Sequence, residues 1–144
     1  MKPKVLARAF AALALAGLAT AATAQQAGFP WWKDDKVIKE LALTADQSAR
    51  IDALFRATLP QLRQNKEELD RQESELSRLI GQNGDEAQVG RQVDKVETAR
   101  GSLNKTRTLM LLRMRQVLSS DQRDKFNAVH EQWLRDHPRP DQKH

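Results

Sequence analysis

Residues 69–96 read LDRQESELSRLIGQNGDEAQVGRQVDKV, and this stretch decides the fold. Leu69 and Leu76 stand seven apart before the break in its middle, and Val89 and Val96 stand seven apart after it. Seven-residue spacing keeps side chains on nearly one line of a helix, the seam of a helix pair. Between the two seams, Gly81-Gln82-Asn83-Gly84-Asp85 interrupts the pattern. Gly81 suits a left-handed C-terminal cap, Asn83-Gly84 a turn, and Asp85 the N-cap of a following helix. Turning the chain back at Asn83-Gly84 sets Leu76 opposite Val89 and Leu69 opposite Val96.

The register continues outward on both sides. Phe55 and Leu62 extend the first seam, while Leu103, Met110 and Val117 extend the second. Leu62 then meets Leu103, and Phe55 meets Met110. The pattern predicts one long helix from Leu43-Thr44 to about Ile80 and another from Glu86 to about Leu118. A short helix from the N-cap Asp34 through Glu40 precedes them. A third, from Ser119 or Ser120 to near Asp136, follows and is stopped by His137-Pro138-Arg139-Pro140. The expected fold is all-α: a long antiparallel helical hairpin with short N-terminal and C-terminal helices.

The alternate seam positions are polar. Asn65 and Gln72 in the first helix, and Arg100 and Arg107 in the second, occupy places that a stable coiled coil fills with Leu or Ile. The register puts Asn65 near Arg100 and Thr58 near Arg107. A buried guanidinium without a partner is costly, so both arginines are expected to reach water or an acidic neighbour. One side of the hairpin should therefore be apolar and positively charged, either open or covered by a second subunit. Pro60 inside the first long helix predicts a bend, and Gly90 and Gly101 weaken the second by about 1 kcal/mol each.

The ends of the chain read differently from its middle. Lys2, Lys4 and Arg8 precede an apolar run from Ala9 to Ala19, and Ala22-Thr23-Ala24 supplies a small-x-small cleavage pattern. Residues 1–24 are expected to be a cleaved export signal, too short in its apolar part to span a bilayer. Residues 25–33 are expected to form a leader, 34–136 the helical domain and 137–144 a disordered tail. The whole chain has 24 basic and 19 acidic residues, three of the basic ones in the signal, so the remainder carries +2. Acids and bases alternate from Lys33 to Arg135, the pattern of a solvated helix surface rather than a nucleic-acid footprint. No cysteine is present, so packing alone must hold the domain together.

One motif repeats. Leu43-Thr44-Ala45-Asp46-Gln47 recurs as Leu118-Ser119-Ser120-Asp121-Gln122. Each is a capping box, in which the Thr44 or Ser119 hydroxyl caps a helix and Gln47 or Gln122 reaches back to the cap. Ile51, Ala53 and Leu54 correspond further on to Phe126, Ala128 and Val129. With the Trp31-Trp32-Lys33-Asp34 lead-in, the export signal and the hairpin, the chain resembles the Spy/CpxP family, named for its LTxxQ motif. The second copy here has Ser in place of Thr. The resemblance implies a periplasmic, curved, cradle-like homodimer that is either an ATP-independent chaperone holding unfolded or misfolded proteins or an adaptor binding a sensor kinase's periplasmic domain. A metal-sensing branch of the family offers the alternative of a zinc, nickel or copper binder.

The remaining candidates are weighed on their own residues. His130, His137 and His144 are the alternative metal ligands, but Pro138 and Pro140 prevent one helix from presenting all three, so no metal or other cofactor is expected. His130 aligns with Phe55 in the repeat and is expected against packed helices. Met110 and Met114 fall on the apolar seam, where Met is usually core, yet with Arg100 and Arg107 they are also candidate contacts for a client. Trp31 and Trp32 pack over the helix ends or present a client-binding surface, and Trp133 docks the last helix. No nucleophile-and-base arrangement, HExxH pair or glycine-rich phosphate loop is present, so no enzyme is expected. Nucleic acid is not an expected partner, and no membrane insertion is expected once the signal is removed.

Overall fold

A computed structural model describes residues 30–136. The expected signal at 1–24, most of the leader, the tail at 137–144, and with it His137 and His144, lie outside the described residues. Residues Trp31–Lys33 form a single 3-10 turn. Four α-helices follow: α1 (Asp35–Leu41), α2 (Ala45–Gly81), α3 (Glu86–Gln116) and α4 (Ser120–Asp136). No strand occurs among the described residues. α2 and α3 pack along each other as the expected hairpin.

Local chemistry sets the helix ends. Asp34 accepts the Val37 N–H at 3.0 Å and starts α1, and Asp85 accepts the Gln88 N–H at 2.9 Å and starts α3. Pro60 lies inside α2 without ending it. The end of α2 corrects one expectation. Gly81 is still helical, and the left-handed residue is Asn83, at φ 52°. The Gly84 N–H donates to the Leu79 carbonyl at 2.8 Å and the Asn83 N–H to Ile80 at 3.1 Å, so the helix runs past Gly81 before it turns. This is a Schellman cap, and the short polar side chain of Asn tolerates its left-handed position. α1 ends the same way: Leu43 donates to Ile38 at 3.0 Å and Ala42 to Lys39 at 3.2 Å, which forces Ala42 to φ 50°.

The core divides along the hairpin. Toward its tip, Leu69, Val96, Ala99 and Leu103 are buried together, with Leu62 and Leu76 packed on them. At its base, Ile51, Met110, Met114 and Leu118 are buried with Trp32, Leu41 and neighbours from the short elements, and Phe55 packs against them. The pairs Leu69/Val96, Leu62/Leu103 and Phe55/Met110 thus share their clusters as the register requires. Polar residues fill the intervening seam positions. Buried Gln92 donates from Nε2 to the Gln72 carbonyl at 2.9 Å and to Gln72 Oε1 at 2.8 Å. Asn65 does not reach Arg100. Its Nδ2 donates to Thr106 Oγ1 at 2.8 Å and to the Ser102 carbonyl at 3.3 Å, because these sit on the seam side of α3 while Arg100 turns outward. Such pairs fix the register, since a slip of either helix leaves a buried amide unsatisfied.

Candidate functional site

The two repeated motifs meet in space. In each, the hydroxyl of Thr44 or Ser119 accepts the backbone N–H of Gln47 or Gln122, at 3.1 and 3.2 Å. Each glutamine Oε1 accepts the N–H of its own cap residue, at 3.1 and 2.9 Å. The capping boxes are complete, and their glutamines still have an NH2 group to use. Gln47 Nε2 donates to Gln122 Oε1 at 2.8 Å, and Gln122 Nε2 donates to Gln47 Oε1 at 3.0 Å. The second proton of each leaves for the other motif's approach: Gln47 to the Val117 carbonyl at 3.2 Å, Gln122 to those of Leu41 and Ala42 at 3.1 and 3.3 Å. The leucines sit beneath, with Leu43 and Leu118 buried in the basal core. The start of α2 and the start of α4 are thereby clasped around the base of the hairpin, although α4 buries no residue of its own.

The aromatic turn is tied to the same end. Trp32 is buried, with its ring 5.1 Å from Phe55 and its Nε1 donating to Asp52 at 3.1 Å. Trp31 is half-buried against Phe126 at 4.7 Å. Asp52 also receives Lys33 at 2.9 Å and Arg56 at 2.7 Å. The Lys33 hydrogen bond, then the Trp32 one, hold its carboxyl below the usual carboxylate range.

These placements sort the residues singled out in the sequence. Met110 and Met114 are 3% and 1% exposed, and Trp32 is 4% exposed, so all three are core and off the accessible surface. The folded unit therefore includes the tryptophans. Arg100 is exposed and meets an acidic neighbour as expected, Glu73 across the hairpin at 3.0 Å and Glu97 on its own helix. Arg107 is half-buried. His130 is exposed rather than enclosed, stacked on Phe126 at 6.1 Å, because the side chains that α4 turns onto the basal core are those of Phe126 and Val129. Among the described residues, no group of three or more His, Cys, Asp or Glu side chains is placed to hold a metal ion.

One surface was missed in the sequence reading. Leu109, Leu111 and Leu112 are 38%, 48% and 48% exposed. Leu109-Met110-Leu111-Leu112 runs right round α3, so no single packing face can bury all four. Met110 and Met114 take the seam, and Leu112, midway between them, points away from it. Along this stretch of the chain the charge is of one sign. From Thr98 to Ser120 the chain has Arg100, Lys105, Arg107, Arg113 and Arg115 and no acidic residue. The even mixing of charge along the whole chain conceals this. Four consecutive apolar residues inside an acid-free stretch were the available signal.

Compared with known proteins, residues 31–130 match the family model described as LTXXQ motif family protein. No curated protein and no solved structure matches the chain. No described helix is long and apolar enough to cross a membrane. The matched span begins at the aromatic turn and takes in both clasped motifs, and on that evidence the chain belongs to the LTXXQ motif family, of the Spy/CpxP type.

Proposed function

We propose that this protein is a periplasmic, ATP-independent holdase or envelope-stress adaptor, which binds unfolded or partner polypeptides on the outer face of the C-terminal half of α3. The observation that carries this reading is the exposure of Leu109, Leu111 and Leu112 within a stretch that has five basic residues and no acid. Leucines that the seam cannot bury are left free to meet an apolar partner. Positive charge along the same stretch draws in acidic segments and speeds encounter, while the leucines hold apolar ones. Nothing in the clasped motifs is arranged for chemistry: their polar groups satisfy one another and hold the hairpin base rigid. Family membership supports the periplasmic location, since families of this type work there.

A homodimer belongs to the same reading. Residues 64–97 hold nine acids and five bases, whereas 98–117 hold five bases and no acid. Two hairpins set antiparallel bring these unlike halves together. Sedimentation at the mass of two chains is the expected result, and a monomer at working concentration removes this part of the proposal.

The test of function is light scattering from an aggregating client, with purified protein in chelator and no ATP. Suppression near stoichiometric ratios is expected. A Leu109→Ser/Leu111→Ser/Leu112→Ser variant should lose it while melting at the same temperature. Unchanged suppression by that variant removes the α3 face from the proposal. No suppression by the parent protein sinks the chaperone role and leaves the adaptor.

A further inference from the structure

The hairpin turn carries chemistry that client binding does not use. Asn83 is followed by Gly84, so no side chain shields the next peptide nitrogen from the Asn83 amide, and Asn83 itself is exposed. The other asparagines, Asn65, Asn104 and Asn127, lie within helices and precede Lys66, Lys105 and Ala128. In the folded turn the nitrogen of Gly84 is occupied, since its N–H donates to the Leu79 carbonyl at 2.8 Å. We propose that Asn83 is a site of spontaneous deamidation, gated by the cap hydrogen bond between Gly84 and Leu79.

The steps balance without any oxidant or enzyme. When the cap opens, the Gly84 nitrogen gives its proton to water and attacks Asn83 Cγ. A new C–N bond closes a cyclic imide, the Cγ–Nδ2 bond breaks, and the side-chain nitrogen leaves as ammonia. Water then adds to one of the two imide carbonyls and a ring C–N bond breaks, giving aspartate or isoaspartate.

Either product loosens the turn that protected the site. An aspartate at position 83 puts negative charge at the C-terminal end of α2, where the helix dipole is already negative, and two residues from Asp85. An isoaspartate lengthens the main chain and carries the Gly84 N–H away from Leu79. The Gly84 position leaves little slack for this, because a Cβ placed there already meets the Leu79 carbonyl at 3.1 Å. The turn thus records, irreversibly, how often the tip of the hairpin has opened.

The experiment incubates the full chain in mildly alkaline buffer, folded and in denaturant, and follows position 83 by peptide mass spectrometry. Conversion should be on the order of tenfold slower or more in the folded protein, since chemistry on a transiently opened segment follows the open fraction. Asp85→Ala removes the cap of α3 and should raise the folded rate in step with amide exchange at Gly84, with no change in denaturant. A series in mild denaturant on the unaltered protein makes the same comparison should that variant fail to fold. Equal rates folded and unfolded, faster Gly84 exchange without faster conversion, or no conversion at position 83 in denaturant each overturn the proposal.

Discussion

Gln47 and Gln122, seventy-five residues apart, hold each other through a reciprocal pair of amide hydrogen bonds at 2.8 and 3.0 Å. Each also completes its own capping box and reaches a carbonyl of the other motif's approach. All the donors and acceptors of both amides are in use, which only glutamine satisfies, because glutamate has no N–H to give.

Replacing Gln122 with Glu keeps the shape and removes both donors, leaving the Leu41 and Ala42 carbonyls facing a carboxylate. The expected loss is about 2 kcal/mol of stability, measured by urea denaturation. In a double-mutant cycle, Gln47→Ala and Gln122→Ala should cost clearly less together than the sum of their separate effects. Additive costs would show that the two boxes act independently.

Ala42 sits at φ 50° because the Schellman cap of α1 needs a left-handed residue there. Alanine in that region is strained by roughly 1 kcal/mol relative to glycine. Ala42→Gly should therefore raise the melting temperature, unlike most glycine substitutions. A lowered melting temperature would mean that the added freedom of the unfolded chain outweighs the relief.

Met114 and Leu112 are two residues apart and should behave oppositely. Met114→Ala empties space in the basal core and is expected to cost about 2–5 kcal/mol. Leu112→Ala should change stability by less than about 0.5 kcal/mol. Calorimetric melting of the two variants decides it, and a large loss from Leu112→Ala would show that the outer face of α3 is already packed.

Asp52 makes the aromatic turn sensitive to acid. Its carboxyl is held below the ordinary range by Lys33 and Trp32, so the folded state binds its proton less readily than the unfolded chain does. The stabilisation is complete above the unfolded pKa and is lost as pH falls through the folded one. Glu75, lowered by Arg78, behaves in the same sense at the other end of α2. Asp52→Asn should flatten the acid limb of a stability–pH curve and Glu75→Gln should flatten it less, because only Asp52 anchors a buried tryptophan. Trp32 fluorescence during acid titration reports on that anchor, and an unchanged acid limb in Asp52→Asn counts against it.

The sequence by itself determined the hairpin, because seven-residue spacing and a turn of Asn83-Gly84-Asp85 are local signals that agree with each other. It determined the capping boxes for the same reason: cap and glutamine are three residues apart. Gly81 was misread because either Gly81 or Asn83 can end α2, and the choice rests on how far the Leu79 and Ile80 carbonyls continue the helix. The orientation of Asn65 toward Thr106 rather than Arg100 was likewise settled only by the rotation of α3 about its axis. Tertiary structure alone decided that Gln47 and Gln122 face each other, that Trp32 is enclosed, and that Leu111 and Leu112 are not. Each depends on groups brought together from distant parts of the chain, and on which side of a helix apolar all round is given to the seam.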